Sequence, residues 1–471
     1  MNRESLSIYL QNKRCTVVGL GVSNLPLIDF LLSHGACVTA RDQKERTEIE
    51  ALALELEGKG ISLFLGTNYL EGIDEDLIFR SPGLRPDHPA FVSAVERGAI
   101  LTSEMELFLE LTTATVIGIT GSDGKTTTTT LTGKILEEAC RARGRGKVFV
   151  GGNIGTPLLP RVFEMTDKDF AVIELSSFQL QTMRRSPMIS AVTNVTENHL
   201  NWHLGMEEYV EAKCNIFRHP PARVLVTNAE NEITANFCDT FDGKRILFSS
   251  KKRSRADFSA QKSTLTVYEK DGTIILDDGT PHAMLNVSDI HVPGRHNVEN
   301  FMTAIALTHE FASPENITAA AQGFFGVPHR LERVRVLDGV TYYNSSIDST
   351  PARTAAALSA LTEKPIVICG GYDKHVSYEP LAISLCERAR AVVLTGATAQ
   401  KIKDELDARP EVQAGLLPVY EETTFEGAVH RAREIAQSGD TVLLSPACAS
   451  FDAFRNFAER GDTFRRIVNE F

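Results

Sequence analysis

The chain of 471 residues is too long for one small binding module, and at about 100 to 200 residues per domain it predicts three domains. With 42% hydrophobic and 23% charged residues it has the balance of a globular protein, which excludes a disordered or collagen-like chain. The 61 acidic and 49 basic residues give a net charge of -12, which argues against a dominant nucleic-acid or anionic-membrane surface.

The cysteines and the hydropathy pattern predict the compartment. The eight cysteines are scattered singly, without a C-x-x-C pair, which is typical of reduced thiols rather than of disulfides or zinc ligands. No uncharged apolar stretch approaches the roughly 18 to 20 residues that a spanning helix requires, and residues 1–14 carry charges throughout. We therefore expect a cytoplasmic protein that is not inserted in a membrane.

Alternating strand and helix patterns predict a Rossmann-like domain at residues 1–111. Its strands are expected at 15–19, 36–40, 77–79 and 100–101, and its helices at 25–33 and 104–111. Gly19-Leu20-Gly21 follows the first strand, but Asn24 stands where a dinucleotide fingerprint has its third glycine. Asp42 lies about twenty residues on, where an acidic residue is able to hold a ribose or a base. Alone, this segment fits an oxidoreductase and a plain α/β turn equally well.

The same alternation continues in two further domains, so the fold class is α/β with three domains. In the second, at residues 112–327, strands are expected at 116–119, 171–175, 191–195 and 224–227, with a β-rich insert at 245–292. Within the insert, Asp271-Gly272 predicts a hairpin turn. The third domain, at 328–471, is also Rossmann-like, with strands expected at 366–369, 391–394 and 441–444.

A glycine-rich loop between a strand and a helical run is the strongest single motif. It reads Thr120-Gly121-Ser122-Asp123-Gly124-Lys125-Thr126-Thr127. Glycines let backbone N–H groups turn toward phosphate oxygens, the lysine reaches the terminal phosphates, and the hydroxyl of Thr126 is placed to hold Mg²⁺. Because Ile119 occupies the first-glycine position of the common phosphate loop, this is a shorter G-x-x-G-K-T-T variant. A phosphate cradle is favoured over a structural glycine turn, since Lys and Thr follow the last glycine in the expected order.

A carboxylate cluster follows in the sequence AVIELSSFQL. Glu174 ends a hydrophobic strand and is followed by Ser176, Ser177 and Gln179. Open parallel sheets place their ligand groups at this edge, so these residues are candidates for metal and substrate contacts. A surface carboxylate is the structural alternative.

Further along, two histidines and a lysine are candidates for functional roles, but each also fits a structural role. His199 lies in a polar turn, where it is able to ligate metal, whereas His203 also fits a packed histidine. Lys213 lies on a predicted helix, where most lysines are solvated. The residues alone leave these alternatives open.

Seven motifs occur in one order along the chain. They are TGSDGKTT (120–127), GGNIGTPL (151–158), ELSSFQL (174–180), EAK (211–213), GRHNVEN (294–300), PHRLE (328–332) and SPACASFD (445–452). In this order they resemble the Mur ligases of peptidoglycan synthesis, over nearly the whole chain. Within that family, GLGVS at 19–23 and SPACASFDAFRNF at 445–457 resemble the member that adds D-glutamate.

The resemblance implies an activity and its partners. It implies an ATP-dependent ligase that joins D-glutamate to UDP-N-acetylmuramoyl-L-alanine through an acyl phosphate, with Mg²⁺, as two ions, as the metal. It further implies a protein that works as a monomer and binds no nucleic acid. Three domains suit the reaction, because the UDP-sugar, ATP and the amino acid need separate binding surfaces. Domain closure would also exclude water from a hydrolysable intermediate.

The resemblance also implies site residues. ATP contacts fall on Gly121, Ser122, Asp123, Gly124, Lys125, Thr126, Thr127, Asn297, Asn300 and Arg330. Metal contacts fall on Thr126, Glu174, His199 and Lys213, the last matching the family's carbamylated lysine. UDP-sugar contacts fall on Gly21, Asp42, Ser81, Gly83, Asn153, Ser176 and Gln179. D-Glutamate contacts fall on Lys374, Ser450 and Phe457, and the catalytic roles on Lys125, His199 and Lys213.

At several positions the chain departs from the family pattern. The usual D-H-x-D around the histidine is Asn198-His199-Leu200-Asn201, so two carboxylates are absent. The N-D-S segment is Asn344-Ser345-Ser346, in which Ser345 replaces an aspartate, and Ile347 stands where many members have lysine. Asp348 is one position along from a family contact, and compensation by this carboxylate is a hypothesis for the structure to address.

Rival functions make different use of the same residues. A nucleotide switch or scaffold shares the phosphate loop but has no need of Arg330, Lys374 and the SPACASFD segment. A nicotinamide oxidoreductase uses Gly19-Leu20-Gly21 and leaves the phosphate loop unexplained. Within the ligases, a folylpolyglutamate-type or another Mur-type amide ligase shares the loop and the reaction, but a folate-linked substrate fits poorly with a nucleotide-sugar domain.

Overall fold

The computed structural model describes residues 2–259, 262–374 and 376–471. Over these residues the strands form three sheets. The described chain folds into two compact units, of which the first runs to Val287 and includes Val298–Ala320. The second unit consists of Ser288–Asn297 and Ala321–Phe471. The α/β fold class is confirmed, whereas the boundaries 1–111, 112–327 and 328–471 stay predictions.

The first sheet is entirely parallel and has the strand order β3-β2-β1-β4-β5. Its strands are β1 (Arg14–Val18), β2 (Cys37–Asp42), β3 (Ser62–Leu65), β4 (Leu77–Arg80) and β5 (Ile100–Thr102). Its helices are α1 (Arg3–Leu10), α2 (Asn24–Ser33), α3 (Glu50–Gly58), α4 (Pro89–Glu96) and α5 (Glu104–Leu111). Expected strands and helices match these within two residues, but β3, a short edge strand with no fully buried residue, was not predicted.

The second sheet belongs to the same unit and has the order β14-β13-β12-β11-β10-β9-β6-β8-β7. Its strands are β6 (Thr115–Thr120), β7 (Val148–Gly152), β8 (Phe170–Glu174), β9 (Ile189–Val192), β10 (Val224–Asn228), β11 (Lys244–Ser249), β12 (Leu265–Lys270), β13 (Thr273–Asp277) and β14 (Pro281–Asn286). The helices here are α6 (Lys125–Arg143), α7 (Ser177–Leu180), α8 (Met206–Cys214), α9 (Glu232–Ala235), α10 (Arg295–Thr308) and α11 (Pro314–Gln322).

The expected hairpin extends this second sheet. Asp271 and Gly272 have φ of 50° and 75°, the positive values that a tight two-residue turn requires, and β12 pairs antiparallel with β13. Because β12 also pairs parallel with β11, the β-rich segment is continuous with the central sheet. The expected strand 191–195 is wrong at its end: β9 stops at Val192, because the next two residues turn toward the glycine-rich loop.

The third sheet lies in the second unit and has the order β15-β16-β20-β17-β18-β19. Its strands are β15 (Glu332–Leu337), β16 (Val340–Asn344), β17 (Ile366–Cys369), β18 (Ala391–Leu394), β19 (Val419–Glu421) and β20 (Thr441–Leu444). Its helices are α12 (Pro351–Ala360), α13 (Glu379–Arg388), α14 (Ala399–Asp407), α15 (Pro410–Gln413), α16 (Phe425–Ile435) and α17 (Phe457–Glu470). The three expected strands match β17, β18 and β20. β15, β16 and β19 were not predicted; β15 is antiparallel to β16, and the other pairings are parallel.

One apolar core connects the first two sheets. Phe30 of α2 and Phe163 of the 3-10 helix Leu159–Glu164 stack with ring centroids 6.1 Å apart. Phe108 of α5 and Leu159 are fully buried in the same core. Burial of aromatic and leucine side chains contributes roughly 1.5 to 3 kcal/mol each, so this packing holds the two sheets in one compact unit.

Glu104 is an acidic residue inside this packing. It is 6% exposed, it accepts a hydrogen bond from the backbone of Leu159, and its Oε1 has no partner among the described residues. Burial raises the pKa of Glu104 from 4.5 to about 7, because the charged form is poorly solvated there. The folded state therefore binds this proton more tightly than the unfolded chain, and stability falls as pH rises from about 4.5 to about 7.

We expect Glu104→Gln to remove this loss. Relative to the variant, the wild type should lose up to about 3 kcal/mol of unfolding free energy between pH 4.5 and pH 7.5. Urea unfolding at the two pH values measures the difference, with Glu110→Gln, an exposed position on the same helix, as control. Equal pH dependence in wild type and Glu104→Gln would contradict the prediction.

Candidate functional site

The glycine-rich loop connects β6 to α6, as the sequence predicts, and both glycines are required by its backbone. Gly121 has φ of 150°, and a Cβ at this position would overlap Oγ1 of Thr193. Gly124 has φ of 78°, and a Cβ there would lie 2.5 Å from Oδ1 of Asn300. Any larger residue would strain the loop or displace its neighbours.

Hydrogen bonds from the end of β9 hold the loop in shape. The backbone N–H groups of Ser122 and Asp123 donate to the Asn194 carbonyl and side chain at 2.9 Å each. Thr193 Oγ1 donates to the carbonyl of Asp123 at 2.6 Å, and the hydroxyls of Ser122 and Tyr209 lie 2.9 Å apart. Sequence reasoning missed Thr193, Asn194 and Tyr209, and only their position in the fold identifies them.

The residues after the last glycine begin α6. Lys125 Nζ donates to the carbonyls of Gly121 and Ser122 at 3.0 and 2.9 Å, which places its ammonium over the loop. Thr126 Oγ1 donates to Glu174 Oε2 at 2.7 Å, and Thr127 is buried at the first turn of the helix. The N-terminal helix dipole and the ammonium both favour an anion at this place.

Glu174 ends β8 next to the loop and is 2% exposed. Its two oxygens have different partners: Oε2 accepts from Thr126, and Oε1 accepts from Asn153 Nδ2 at 2.9 Å. Asn153 itself is exposed. The structure thus brings together the carboxylate, the hydroxyl and the amide that the sequence placed in separate motifs.

Lys213 approaches the loop from α8 and is 1% exposed. Its Nζ donates to the Gly121 carbonyl at 2.9 Å and lies 4.5 Å from the centroid of the Tyr209 ring. Burial, and then the charge of Lys125, hold the pKa of Lys213 well below its ordinary value. Among the described residues no carboxylate forms an ion pair with it. The solvated helix lysine of the structural alternative is therefore excluded.

His199 lies on an exposed turn with a left-handed backbone, φ 56°. Its ring packs edge-on against Phe178 at 4.9 Å. Partial burial, and then the charge of Lys125, lower the pKa of His199, which favours the neutral imidazole that ligates metals. The neighbouring Asn198 accepts from the His199 backbone N–H at 2.9 Å and adds no negative charge.

The expected substrate residues of ELSSFQL bond mainly to their neighbours. Ser176 caps α7, and its hydroxyl and backbone both bond to the Gln179 side chain. Ser177 lies 2.9 Å from Nε2 of His203, whose ring is fully buried. His203 is therefore a packed histidine, as its structural alternative predicts.

In the first sheet, the expected nucleotide-sugar residues meet at the ends of β1, β2 and β4. A Cβ on Gly19 would lie 2.7 Å from the Cβ of Ser81, and this close approach explains why position 19 is a glycine. Asp42 accepts from the backbone N–H groups of Leu20 and Lys44 at 2.7 and 2.9 Å. A Cβ on Gly21 meets open space, which leaves room for a ligand, and the Gly83 carbonyl accepts from Trp202.

On α10 the two expected nucleotide contacts differ in their surroundings. Asn300 belongs to the first unit, where its Oδ1 accepts from Thr128 Oγ1 at 3.3 Å. Asn297 belongs to the second unit, and its side chain donates to the Pro293 carbonyl at 2.6 Å.

The second unit gathers the residues after β16. Ser345 is 1% exposed, and its hydroxyl accepts from the Leu331 N–H at 3.2 Å. Asp348 accepts from Ser445 Oγ at 2.8 Å, and burial raises the pKa of Asp348 to about 6 in spite of the charge of Arg330. A carboxylate is thus present beside Ser345 and Arg330, as the compensation hypothesis requires.

The expected amino-acid residues lie on three segments of this unit. Lys374 is exposed, and its Nζ lies 3.4 Å from Ser349. Ser450 is 2% exposed, whereas Phe457 at the start of α17 is 39% exposed. Sequence reasoning missed Arg460, a buried residue that donates to the carbonyls of Ser346, Cys448 and Ala449 at 2.8, 3.1 and 3.0 Å.

Two further features bear on metals and membranes. The described residues contain no group of three or more His, Cys, Asp or Glu side chains with the spacing of a metal site. Among the helices that the structure describes, none is long and apolar enough to cross a membrane.

Family comparison matches three consecutive models. Residues 13–103 match a model described as Mur ligase MurD-like, N-terminal domain; residues 119–308 match the Mur ligase middle domain; and residues 329–448 match the Mur ligase, glutamate ligase domain.

Individual relatives are similar over almost the full length. The chain is 44% identical over 463 residues to UDP-N-acetylmuramoylalanine--D-glutamate ligase of Clostridium novyi (strain NT), covering 98% of this chain and 97% of that one. It is 43% identical over 471 residues to the protein of the same name from Clostridium kluyveri, covering 100% and 99%. A solved pseudomurein peptide ligase type C from Methanothermus fervidus is similar in fold, with a TM-score of 0.50, 19% identity and coverage of 98% and 100%.

Proposed function

The chain belongs to the Mur ligase family, and we propose that it joins D-glutamate to UDP-N-acetylmuramoyl-L-alanine at the expense of ATP, in peptidoglycan precursor synthesis. The full-length similarity to ligases of that name supports this reaction over another Mur-type or a folylpolyglutamate-type ligation. The observation that carries it is the phosphate loop, where Lys125 donates to the Gly121 carbonyl and Thr126 donates to Glu174 at the end of β8.

The reaction needs an activated carboxylate, because amide formation from a carboxylate and an amine is uphill in water. A carboxylate oxygen of the UDP-sugar attacks the γ-phosphorus of ATP and displaces ADP, which gives an acyl phosphate. The amine of D-glutamate then attacks the acyl carbon, loses a proton and expels phosphate. Lys125 and the loop N–H groups would stabilise the charge that spreads over the transferring phosphoryl group.

The donor set at the loop fits Mg²⁺. Thr126 Oγ1 and Glu174 Oε2 are hard oxygen donors, 2.7 Å apart, beside the expected phosphates. When bound, Mg²⁺ would neutralise phosphate charge. We assign a first ion to these two residues and a second to His199 and Lys213. Because ATP and phosphates supply the remaining ligands, the lack of a larger carboxylate cluster in the described residues is compatible with this assignment.

The remaining assignments follow the same logic. We place the UDP-sugar at Gly21, Asp42, Ser81, Gly83, Asn153, Ser176 and Gln179, the nucleotide also at Asn297, Asn300 and Arg330, and D-glutamate at Lys374, Ser450 and Phe457. We propose domains at 1–111, 112–327 and 328–471, a monomeric state and a cytoplasmic location, which free thiols throughout the described structure support.

A phosphate-release assay tests the reaction. With UDP-N-acetylmuramoyl-L-alanine and ATP, we expect release only when D-glutamate is the amino acid. Lys125→Ala should retain its fold and lose about 3 kcal/mol of transition-state stabilisation, which is at least a hundredfold in rate. Release that is independent of any amine would indicate a nucleotide switch, and Lys125→Ala within about tenfold of wild type would contradict the role of the lysine.

Lys213 is expected to act as a carbamate. Its buried neutral amine is able to attack CO₂, forming an N–C bond and losing a proton, and the product is an oxygen-donor anion suited to a hard cation. Lys213→Ala should therefore lose most of its turnover, with the largest deficit at limiting Mg²⁺, whereas Lys134→Ala on α6 should not. An unmodified amine in the electron density of a Mg²⁺-nucleotide complex would refute the carbamate.

Acceptor binding is expected to depend on the second unit. Ser450→Ala should raise the KM for D-glutamate and leave the KM for ATP within about twofold, because the hydroxyl would contact only the amino acid. Ser384→Ala, on the surface of α13, serves as control. Equal rises in both constants would indicate a general structural defect instead.

A further inference from the structure

Two arginines flank residues 81–84, the segment that carries Ser81 and Gly83. Arg80 ends β4 and is 1% exposed, and Arg85 follows the segment and is partly buried. Arg80 donates to the carbonyls of Ser81, Pro82 and Leu84, so one guanidinium fixes the turn of this segment from inside. We call residues 81–84 the substrate loop.

Arg80 also contacts α7 and the segment that follows it. Its Nη2 donates to the Phe178 carbonyl at 3.1 Å and to Thr182 Oγ1 at 3.2 Å. The Phe178 ring packs against His199 at 4.9 Å and Trp202 at 4.6 Å. The loop is therefore connected through α7 to the turn that presents His199.

Arg85 makes a second connection, to α8. Its two terminal nitrogens bond to both carboxylate oxygens of Glu208 at 2.9 and 3.2 Å, and Nη1 also donates to the Trp202 carbonyl at 2.5 Å. Trp202 in turn donates from Nε1 to the Gly83 carbonyl at 2.9 Å. A bidentate, partly buried pair fixes both distance and orientation, unlike most exposed ion pairs.

Glu208 organises the chain around it. Its Oε2 accepts from the Leu204 N–H at 2.8 Å and from Nδ1 of His203 at 3.2 Å, while Oε1 accepts from Gln181 at 3.0 Å. Since a carboxylate only accepts, the His203 proton is on Nδ1, and Nε2 is left to accept from Ser177. The carboxylate thus holds the start of α8 and its approach from several directions.

Lys213 lies on the same helix, about 7.5 Å further along its axis. An α-helix transmits a displacement of its first turn to its last turn as a nearly rigid body. A shift at Glu208 would therefore move Lys213 relative to Gly121.

We propose that Arg85 and Glu208 are positioning residues, which couple occupancy of the substrate loop by the UDP-sugar to the placement of α8 and Lys213 at the phosphate loop. Neither residue contacts reacting atoms in this role. The inference rests on the proposed function, because only that function assigns the loop to a UDP-sugar. It predicts that the phosphate site becomes correctly arranged when the carboxylate substrate is bound.

Hydrogen exchange tests the coupling without turnover. In the wild type, saturating UDP-N-acetylmuramoyl-L-alanine should slow amide exchange both at the substrate loop and along α8. In Arg85→Met and Glu208→Gln the protection of α8 should fall by at least about half, while that of the loop remains. Unchanged protection of α8 in the variants, or none in the wild type, would overturn the proposal.

Kinetics supply the second measurement. Arg85→Met and Glu208→Gln should each lower kcat about tenfold and raise the KM for the UDP-sugar, with the KM for D-glutamate nearly unchanged. The double variant should be no worse than the poorer single variant, because the pair acts as a unit. Additive losses, or loss confined to thermal stability, would overturn the proposal.

Controls separate the outcomes. Glu57→Gln removes a bidentate pair with Arg46 of 2.6 and 2.7 Å on the surface of the same unit, and it should alter neither measurement. Arg85→Lys keeps the positive charge but cannot form the bidentate contact that a guanidinium makes. Its effect on both measurements should be intermediate, provided that its melting temperature matches the wild type. A wild type that shows the exchange response but does not use D-glutamate would contradict the proposed function while supporting the coupling.

Discussion

The parallel strands β6, β8 and β9 end at one edge of the central sheet, and the rest of the site depends on this meeting. β6 leads into the glycine-rich loop, β8 ends in Glu174, and the chain after β9 supplies the groups that hold the loop. Because the carboxyl ends of parallel strands open a crevice at their edge, residues distant in sequence come within hydrogen-bond distance there. The backbone of the loop is thereby held in shape by the protein's own contacts, which is the kind of preorganisation that stabilises developing charge.

Three buried basic side chains of the protein donate mainly to backbone carbonyls. Lys213 donates to a carbonyl of the phosphate loop, Arg80 donates to carbonyls of residues 81–84, and Arg460 donates to carbonyls of Ser346 and Cys448. Burying a charge without partners is costly, so each guanidinium fixes the backbone that solvates it, whereas the burial of Lys213 lowers its pKa and favours the neutral amine. For Arg80 and Arg460 burial still lowers the pKa to about 10, which leaves both guanidinium groups charged at neutral pH.

Each departure from the family pattern affects only the residues around it. The asparagines that flank His199 remove negative charge from an exposed turn. In the second unit, Ser345 has a backbone partner, and Asp348 supplies a buried carboxylate three positions further on. Its pKa is raised by burial, which outweighs the hydrogen bonds from Ser345 and Ser445 and the nearby positive charges that act to lower it. The substitutions thus leave a polar, hydrogen-bonded structure at the end of β16.

The sequence by itself determined the fold class, most strands that carry continuous apolar runs, and the phosphate loop, because these depend on local periodicity and on glycines with special backbone geometry. It also supplied ordered motifs that identify the family. It did not reveal the edge strands β3, β7, β15 and β19, nor β16 beside β15; β3 and β15 contain no fully buried residue. The tertiary structure alone decided that Lys213 is buried rather than solvated, that Thr193 and Asn194 leave β9 to hold the loop, and that Arg85 meets Glu208. These contacts join residues far apart in sequence, and no local preference encodes such a distance.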